Sequence, residues 1–445
     1  MARSEYFLRF NIEISPRSLA LKCTQVFFFH ARTVQECSDS YGNARIVLKF
    51  SSLTTRKEAK MDTKSSEEKM LQSISKELGV SNLLEILSTT PMRRLQPILV
   101  HAFKNRAKVR KPAELLQEYE RRQEFLGISS MTQIELYNFA LACHEATRST
   151  FENVQTSPIA PFGLNAVLSL VSQNNTLSSI RGSEVVSDLT SQLALECSLR
   201  RKRNIARKDE SAVHVSTSGR VLRLQPFDKS RGYMQHFNLF ALCSGGPNIP
   251  SRGGFAVPSL QEHVATLLNA ISVLHREGYK SSDITVKVSD MRFLDQLIDA
   301  IKLSHEDVLR NSLNDDFDLF TEYRVQFPRE VETADELKPS MFSDNGLADR
   351  VRYFVHIERG IIEPLRSTNP NVRFCFDFNR KAGLGYYPHL CFHIYATNQK
   401  GSVVQIADGG AVDWAAKLLG NKREAMVTSG IGAELMQKLF KDGDC

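Results

Sequence analysis

Three segments of this chain bring together side chains that could hold a charged ligand. "SEVVSDLTSQLALE" sets Asp188, Thr190 and Gln192 at alternate positions: a carboxylate, a hydroxyl and an amide. "GRVLRLQPFDKSRGYMQHFNLFALCSGG" carries Arg223 and Gln225, then Arg231 in a stretch rich in loop-forming residues. "NRKAGLGYYPHLCFHIY" places Arg380 and Lys381 ahead of two glycines, followed by Tyr386 and Tyr387. Arginine and lysine grip phosphate oxygens through charge-assisted hydrogen bonds, and aromatics beside glycines suit the wall of a small-molecule pocket. The last segment contains no acid, so its chemistry would be binding without general acid–base catalysis.

A fourth feature is charge alone. "LRRKRNIARK" holds Arg200, Arg201, Lys202, Arg203, Arg207 and Lys208 with no acid, and residues 91–111 hold seven further basic residues and no acid. Concentrated positive charge attracts polyanions, phosphate backbones above all; either run also reads as a solvated helix face or a loop. The formal net charge is +7. The individual residues keep bland readings as well. Arg223 could pair with an acid on a neighbouring strand, and Arg231 could be a solvated loop arginine. Asp188 and Thr190 could cap a helix, and Tyr386 and Tyr387 could be strand-packing aromatics. His389 and His393 lack the cysteine or acid that would complete a metal site. No C-x-x-C pair occurs among the eight cysteines, so neither zinc nor any other cofactor is implied, and reduced thiols in an intracellular compartment are expected.

The elements that must position these residues follow from periodicity. Alternating segments such as "GRVLRLQPF", "HFNLFALC", "DITVKVSD", "VRFCFDF", "LCFHIYA" and "SVVQIADG" read as strands. "MTQIELYNFALACHEATRSTFE", "SLQEHVATLLNAISVLHREG" and "DMRFLDQLIDAIKL" read as helices. The expected fold is α+β, a mainly antiparallel sheet flanked by helices over residues 131–440. Ahead of it stand a helical extension over 61–130, with Pro112 and Gly127 as start and stop signals, and an irregular segment over 1–60. That segment has ten Lys or Arg against five Asp or Glu, a composition suited to a mitochondrial transit peptide, with a cytoplasmic location the alternative. No apolar run reaches the roughly 20 residues of a membrane-spanning helix.

Four segments, in order, resemble the catalytic domain of histidyl-tRNA synthetase, a class II synthetase, and more closely its paralogue, the regulatory subunit of ATP phosphoribosyltransferase. Asp188, Thr190 and Gln192 match a D-x-T-x-Q pattern. The Arg223 segment has the shape of class II motif 2. "AGLGYY" stands for R-G-L-D-Y-Y. "ADGGAVDWAAKLLGN" followed by "SGIGAELM" parallels G-G-R-Y-D-G-L and the G-x-E-R of motif 3. The resemblance implies a dimer built through motif 1 around "VQTSPIAPFG". It also implies a cleft in which Arg223 meets an α-phosphate and Asp188 with Thr190 bind an amino group.

The departures matter more than the matches. Gln225 replaces an acid, Ala382 the arginine and Gly385 the aspartate of R-G-L-D-Y-Y; Ala411 and Val412 replace R-Y, and Leu435 the motif 3 arginine. Arg380 and Lys381 are near enough in sequence to substitute for the first. Losing one such fixed charge typically costs about 3 kcal/mol of barrier, so losing several implies no amino-acid activation. Only nine residues follow "GIGAELM", and an anticodon-reading domain is not expected. The pattern implies a non-catalytic subunit that binds RNA or a nucleotide, recognises a 5′-phosphate end and belongs to a larger mitochondrial RNA-processing assembly. Guide-RNA-binding subunits of kinetoplastid RNA editing have this profile. In that picture Arg200, Arg201, Lys202, Arg203, Arg207 and Lys208 form the rim of the old ATP pocket and follow the RNA backbone. The alternative is a histidine-sensing regulatory subunit of ATP phosphoribosyltransferase.

Overall fold

The computed structural model describes residues 34–38, 44–48, 68–169, 172–225, 233–249, 254–300, 302–312, 317–325, 327–338, 348–380, 383 and 386–441. Arg231 and Lys381, both expected in the site, lie outside the described residues. Two compact units divide at Thr90/Pro91. In the first, strand β1 (Val34–Ser38) pairs antiparallel with β2 (Ala44–Leu48), Val34 opposite Leu48. This pair falls in the segment expected to be irregular; apolar, β-branched "ARIVL" has a strand preference of its own. Helices over 68–77 and Leu83–Thr89 follow. The second unit opens with helices Met92–Lys108, Pro112–Arg121 and Gln123–Leu126, so the division cuts through the expected 61–130 extension.

The second unit is built on a nine-stranded sheet. Its strands are β3 (Glu152–Asn153), β6 (Val213–Leu222), β7 (His236–Pro247), β8 (Ser282–Asp290), β9 (Glu330–Val331), β10 (Arg373–Asp377), β11 (Leu390–Thr397), β12 (Val403–Val412) and β13 (Glu424–Gly432). Their spatial order is β3-β6-β7-β13-β12-β11-β8-β10-β9, and all pairs are antiparallel except β3/β6 and β8/β10. A small pair, β4 (Ile159–Pro161) with β5 (Ser183–Val185), stands apart. The α+β expectation holds. Strand β13 was legible only as motif 3, because "EAMVTSGIG" shows no clean alternation.

Alternation assigns the two faces, since successive strand residues point to opposite sides. Ser244 of β7 meets His263 of the helix Ala256–Arg276 on one face. Gly245, its neighbour, faces the helix Leu189–Ala206 on the other, where an added Cβ would stand 2.6 Å from Cys197 Sγ. The first face is the deep core: Phe392, Ile394, Val286, Val288, Phe374 and Phe376 lie on it, all buried. The opposite face begins under the helix Leu189–Ala206 and continues across β12, β11, β8 and β10, where polar side chains replace apolar ones. The candidate site lies there.

Candidate functional site

Asp188 organises one wall. It is the N-cap of the helix Leu189–Ala206: its Oδ1 accepts from Thr190 N at 2.9 Å and from Thr190 Oγ1 at 2.7 Å. Its Oδ2 lies 3.5 Å from the Tyr386 hydroxyl and 3.8 Å from the Arg223 guanidinium. Arg223 sits one residue beyond β6. Its Nε donates to Ser187 O at 2.8 Å and its guanidinium covers the Phe237 ring at 5.3 Å, with 27% of its side chain exposed. Gln192, two residues further along the helix, donates to Ser157 O at 2.6 Å and ties this wall to the motif 1 segment. Helix capping and ligand-facing geometry therefore occur in the same carboxylate. Tyr386 is turned against Trp414 and Tyr387 in edge contacts, in a turn before β11 and outside any strand. Burial, reinforced by Asp188, raises its phenol well above the usual range. The half-buried Gln225 lies two residues beyond Arg223, its backbone carbonyl accepting from the Gln235 amide at 3.4 Å.

The floor of the cleft was not anticipated as a site. Cross-strand register sets Asp408, His393, Lys287 and Cys375 side by side on β12, β11, β8 and β10. Lys287 pairs with Glu330, and its ammonium is 5.2 Å above the Tyr395 ring. Tyr395 in turn contacts His393 Nδ1 at 3.2 Å. Burial, with Arg380 and Lys287 on either side, pushes His393 down to about 2, so the imidazole is neutral. Burial pushes the Cys375 thiol up to about 12, which excludes a thiolate nucleophile near neutral pH. The signal in the sequence was Lys287 between Val286 and Val288, and His393 between Phe392 and Ile394: ionisable residues at the alternate positions of otherwise buried strands. Tyr387 rests on this floor at Gly410, where a Cβ would come within 2.6 Å of its ring.

One expected contributor is displaced, and three other polar residues of the matched segments have structural places. Arg380 is not free to reach a ligand: it is buried, bonded to Asp408 at 2.9 Å and 5.3 Å from the Tyr387 ring centroid. Asp413, the surviving acid of the fourth motif, pairs with Lys417 at 2.9 Å. Glu434 of motif 3 is a structural knot, bonded to Ser129, the Asn238 amide and Arg220. His389 is exposed and lies just before β11, whereas His393 is buried within it.

The basic run needs the largest correction. Asp188 starts the helix and Arg200 lies twelve residues along it, so at 1.5 Å per residue the run begins about 18 Å from the cleft and ends about 28 Å away. It is not the rim of the pocket. Nor is it uniformly available. Arg201 is buried, its fork bonded to both Glu424 oxygens at 2.9 and 3.0 Å and its remaining nitrogen to Ser211 O at 2.5 Å, so it cannot contact RNA. Arg200 is held by Glu196 at 2.7 Å and Glu152 at 2.5 Å. Lys202, Arg203, Arg207 and Lys208 are exposed.

No protein-family model matches the chain, and no curated protein matches its sequence. Solved structures do match its fold. An ATP phosphoribosyltransferase regulatory subunit/histidyl-tRNA synthetase from Bacillus halodurans superposes with a TM-score of 0.52 at 15% identity, covering 74% of this chain and 83% of its own. A histidine–tRNA ligase subunit from Alicyclobacillus acidocaldarius gives 0.51 at 15% identity, covering 70% of this chain and 95% of its own. Histidyl-tRNA synthetase from a Nostoc species gives 0.50 at 14% identity, with coverage of 70% and 75%. The chain shares the class II histidyl-tRNA synthetase-like fold with these proteins. At such identity the likeness extends to the fold alone.

Proposed function

We propose that this protein is a non-catalytic binding subunit whose synthetase-like cleft receives the phosphorylated end of an RNA or nucleotide, within a larger mitochondrial RNA-processing assembly such as one for RNA editing. The observation that carries this reading is the pairing of charges in the cleft. Arg223 faces Asp188, and Arg380 is spent on Asp408. Activating an amino acid on ATP requires several fixed cations aimed at the phosphates, and among the described residues of the cleft one partly exposed arginine remains. A single arginine can select a phosphate end without driving chemistry on it. The first test is ATP–pyrophosphate exchange with histidine and a mixture of amino acids. The expected result is no exchange above background; robust exchange would make the protein a synthetase and end this reading.

The second reading is histidine sensing, and one observation favours it. Asp188, Thr190 and Tyr386 stand together as a small polar cup suited to an ammonium group. Calorimetry with free histidine separates the two, because the RNA-binding reading predicts no heat. Either subunit is proposed to dimerise through the motif 1 segment, where Ile159 and Phe162 are 51% and 55% exposed. A single monomeric species in sedimentation at working concentration would refute that.

A further inference from the structure

Where β6 ends, its ladder with β7 comes apart and the helical extension takes over one of the bonds. Register pairs Leu222 with His236, so Arg223 and Gln235 stand opposite each other next, and Arg223 N donates to Gln235 O at 2.7 Å. An antiparallel pair of this kind ordinarily exchanges both backbone bonds. Here the Gln235 N–H donates instead to Glu124 O at 2.9 Å, in the helix Gln123–Leu126. The chain leaving that helix is then fastened twice more. His236 Nδ1 lies 2.8 Å from Arg220 Nη1. A guanidinium only donates, so the ring proton sits on Nε2, which donates to Gly127 O at 2.9 Å. Ser129 Oγ donates to Glu434 Oε1 at 3.1 Å. Gly127 allows no side chain in this path: an added Cβ would stand 2.4 Å from Gln123 O.

The Gln235 side chain bridges what the broken ladder leaves open. Its Nε2 donates to Leu224 O at 3.2 Å and to Gln225 O at 3.4 Å. From the other side, Leu224 N donates to Asn175 O at 2.9 Å. Alternation puts Gln235 and Phe237 on one face of β7, the face on which Arg223 lies over the Phe237 ring. Arg223 is therefore held at its backbone by Gln235, at Nε by Ser187 O and across its guanidinium by Phe237. An ordinary strand end accounts for the backbone bond. It does not call for an amide side chain spanning two carbonyls, or for a helix of the extension in place of the return bond.

We propose that Gln235 is a positioning residue for Arg223 and that residues 124–129 lock Gln235 in place, so that the extension sets how the cleft presents this arginine. The inference deepens the phosphate-end reading of the cleft and rests on it for the ligand alone. Two full-length variants test it. Gln235→Met keeps the length of the side chain and removes its donors; Gly127→Val displaces the exit segment from outside the cleft. Filter binding compares RNAs with a 5′-triphosphate or a 5′-hydroxyl. A wild-type preference of roughly tenfold should fall to about threefold or less in both variants, since binding groups tolerate only about 0.5 Å of misplacement. Affinity for 5′-hydroxyl RNA should stay as in the wild type. Hydrogen exchange followed by mass spectrometry gives a readout without RNA: residues 223–225 should exchange several-fold faster in both variants, with the helix Ala256–Arg276 unaffected. If the wild type shows no end preference but exchange at 223–225 still accelerates in both variants, the phosphate reading falls and Gln235 stands as the residue that positions Arg223. Wild-type values of both readouts in either variant, or equal losses of affinity for the two RNA ends, overturn the proposal.

Discussion

Replacing Arg201 separates structure from binding within one basic run. Its side chain and that of Glu424 are 2% and 3% exposed, joined through two parallel bonds of 2.9 and 3.0 Å, with a further bond to Ser211 O. Arg201→Ala leaves the Glu424 carboxylate buried without its partner and strips a donor from Ser211. Breaking a buried pair in this way costs about 3–5 kcal/mol, a large share of the roughly 5–15 kcal/mol that holds a domain together. Urea unfolding followed by circular dichroism should show a clearly lower midpoint, or an insoluble protein. Arg201→Met/Glu424→Leu should recover most of the loss, because two apolar groups of similar volume leave no orphan charge. An Arg201→Ala protein of wild-type stability that had lost RNA affinity would refute the structural role and return Arg201 to the surface.

Asp188→Ala removes the cap of the helix Leu189–Ala206 and should lower stability by about 1–2 kcal/mol, whereas Asp188→Asn, which still accepts from the Thr190 amide, should lose less than half of that; equal losses in thermal melts would contradict the capping geometry. His263 is held neutral to about pH 3 against 6.5 for the free side chain, so the unfolded chain binds the extra proton. Its stabilising contribution is complete above pH 6.5 and is lost as the pH falls towards 3, at up to roughly 1.4 kcal/mol per pH unit. His393, down to about 2, adds a second loss of the same sign. Urea midpoints at pH 7 and 5 that coincide would show both rings to be solvated.

Much of the fold was legible because burial imposes periodicity. "LCFHIYA" and "DITVKVSD" alternate cleanly and lie side by side as β11 and β8. The division at Thr90/Pro91 was not legible, since helical periodicity runs on both sides of it and only a short break separates Leu83–Thr89 from Met92–Lys108. Asp188, Thr190, Arg223 and Tyr386 were found and do converge. Lys287, Cys375 and Asp408 were missed because what makes them a group is lateral register between strands distant in sequence. Arg201 was misplaced for a related reason. Charge counts treat the six basic residues alike, whereas a helix sends successive residues in different directions and turned this one onto Glu424.

The most direct test of the account compares RNAs that differ only in a 5′-triphosphate or a 5′-hydroxyl. Charge-assisted bonds from Arg223 are worth about 1.5–3 kcal/mol each, so the wild type should prefer the triphosphate by roughly tenfold or more. Arg223→Ala should erase the preference and leave the salt slope for 5′-hydroxyl RNA unchanged. Equal affinity of the wild type for both ends, or a preference that survives Arg223→Ala, would contradict the claim that the cleft reads a phosphorylated end.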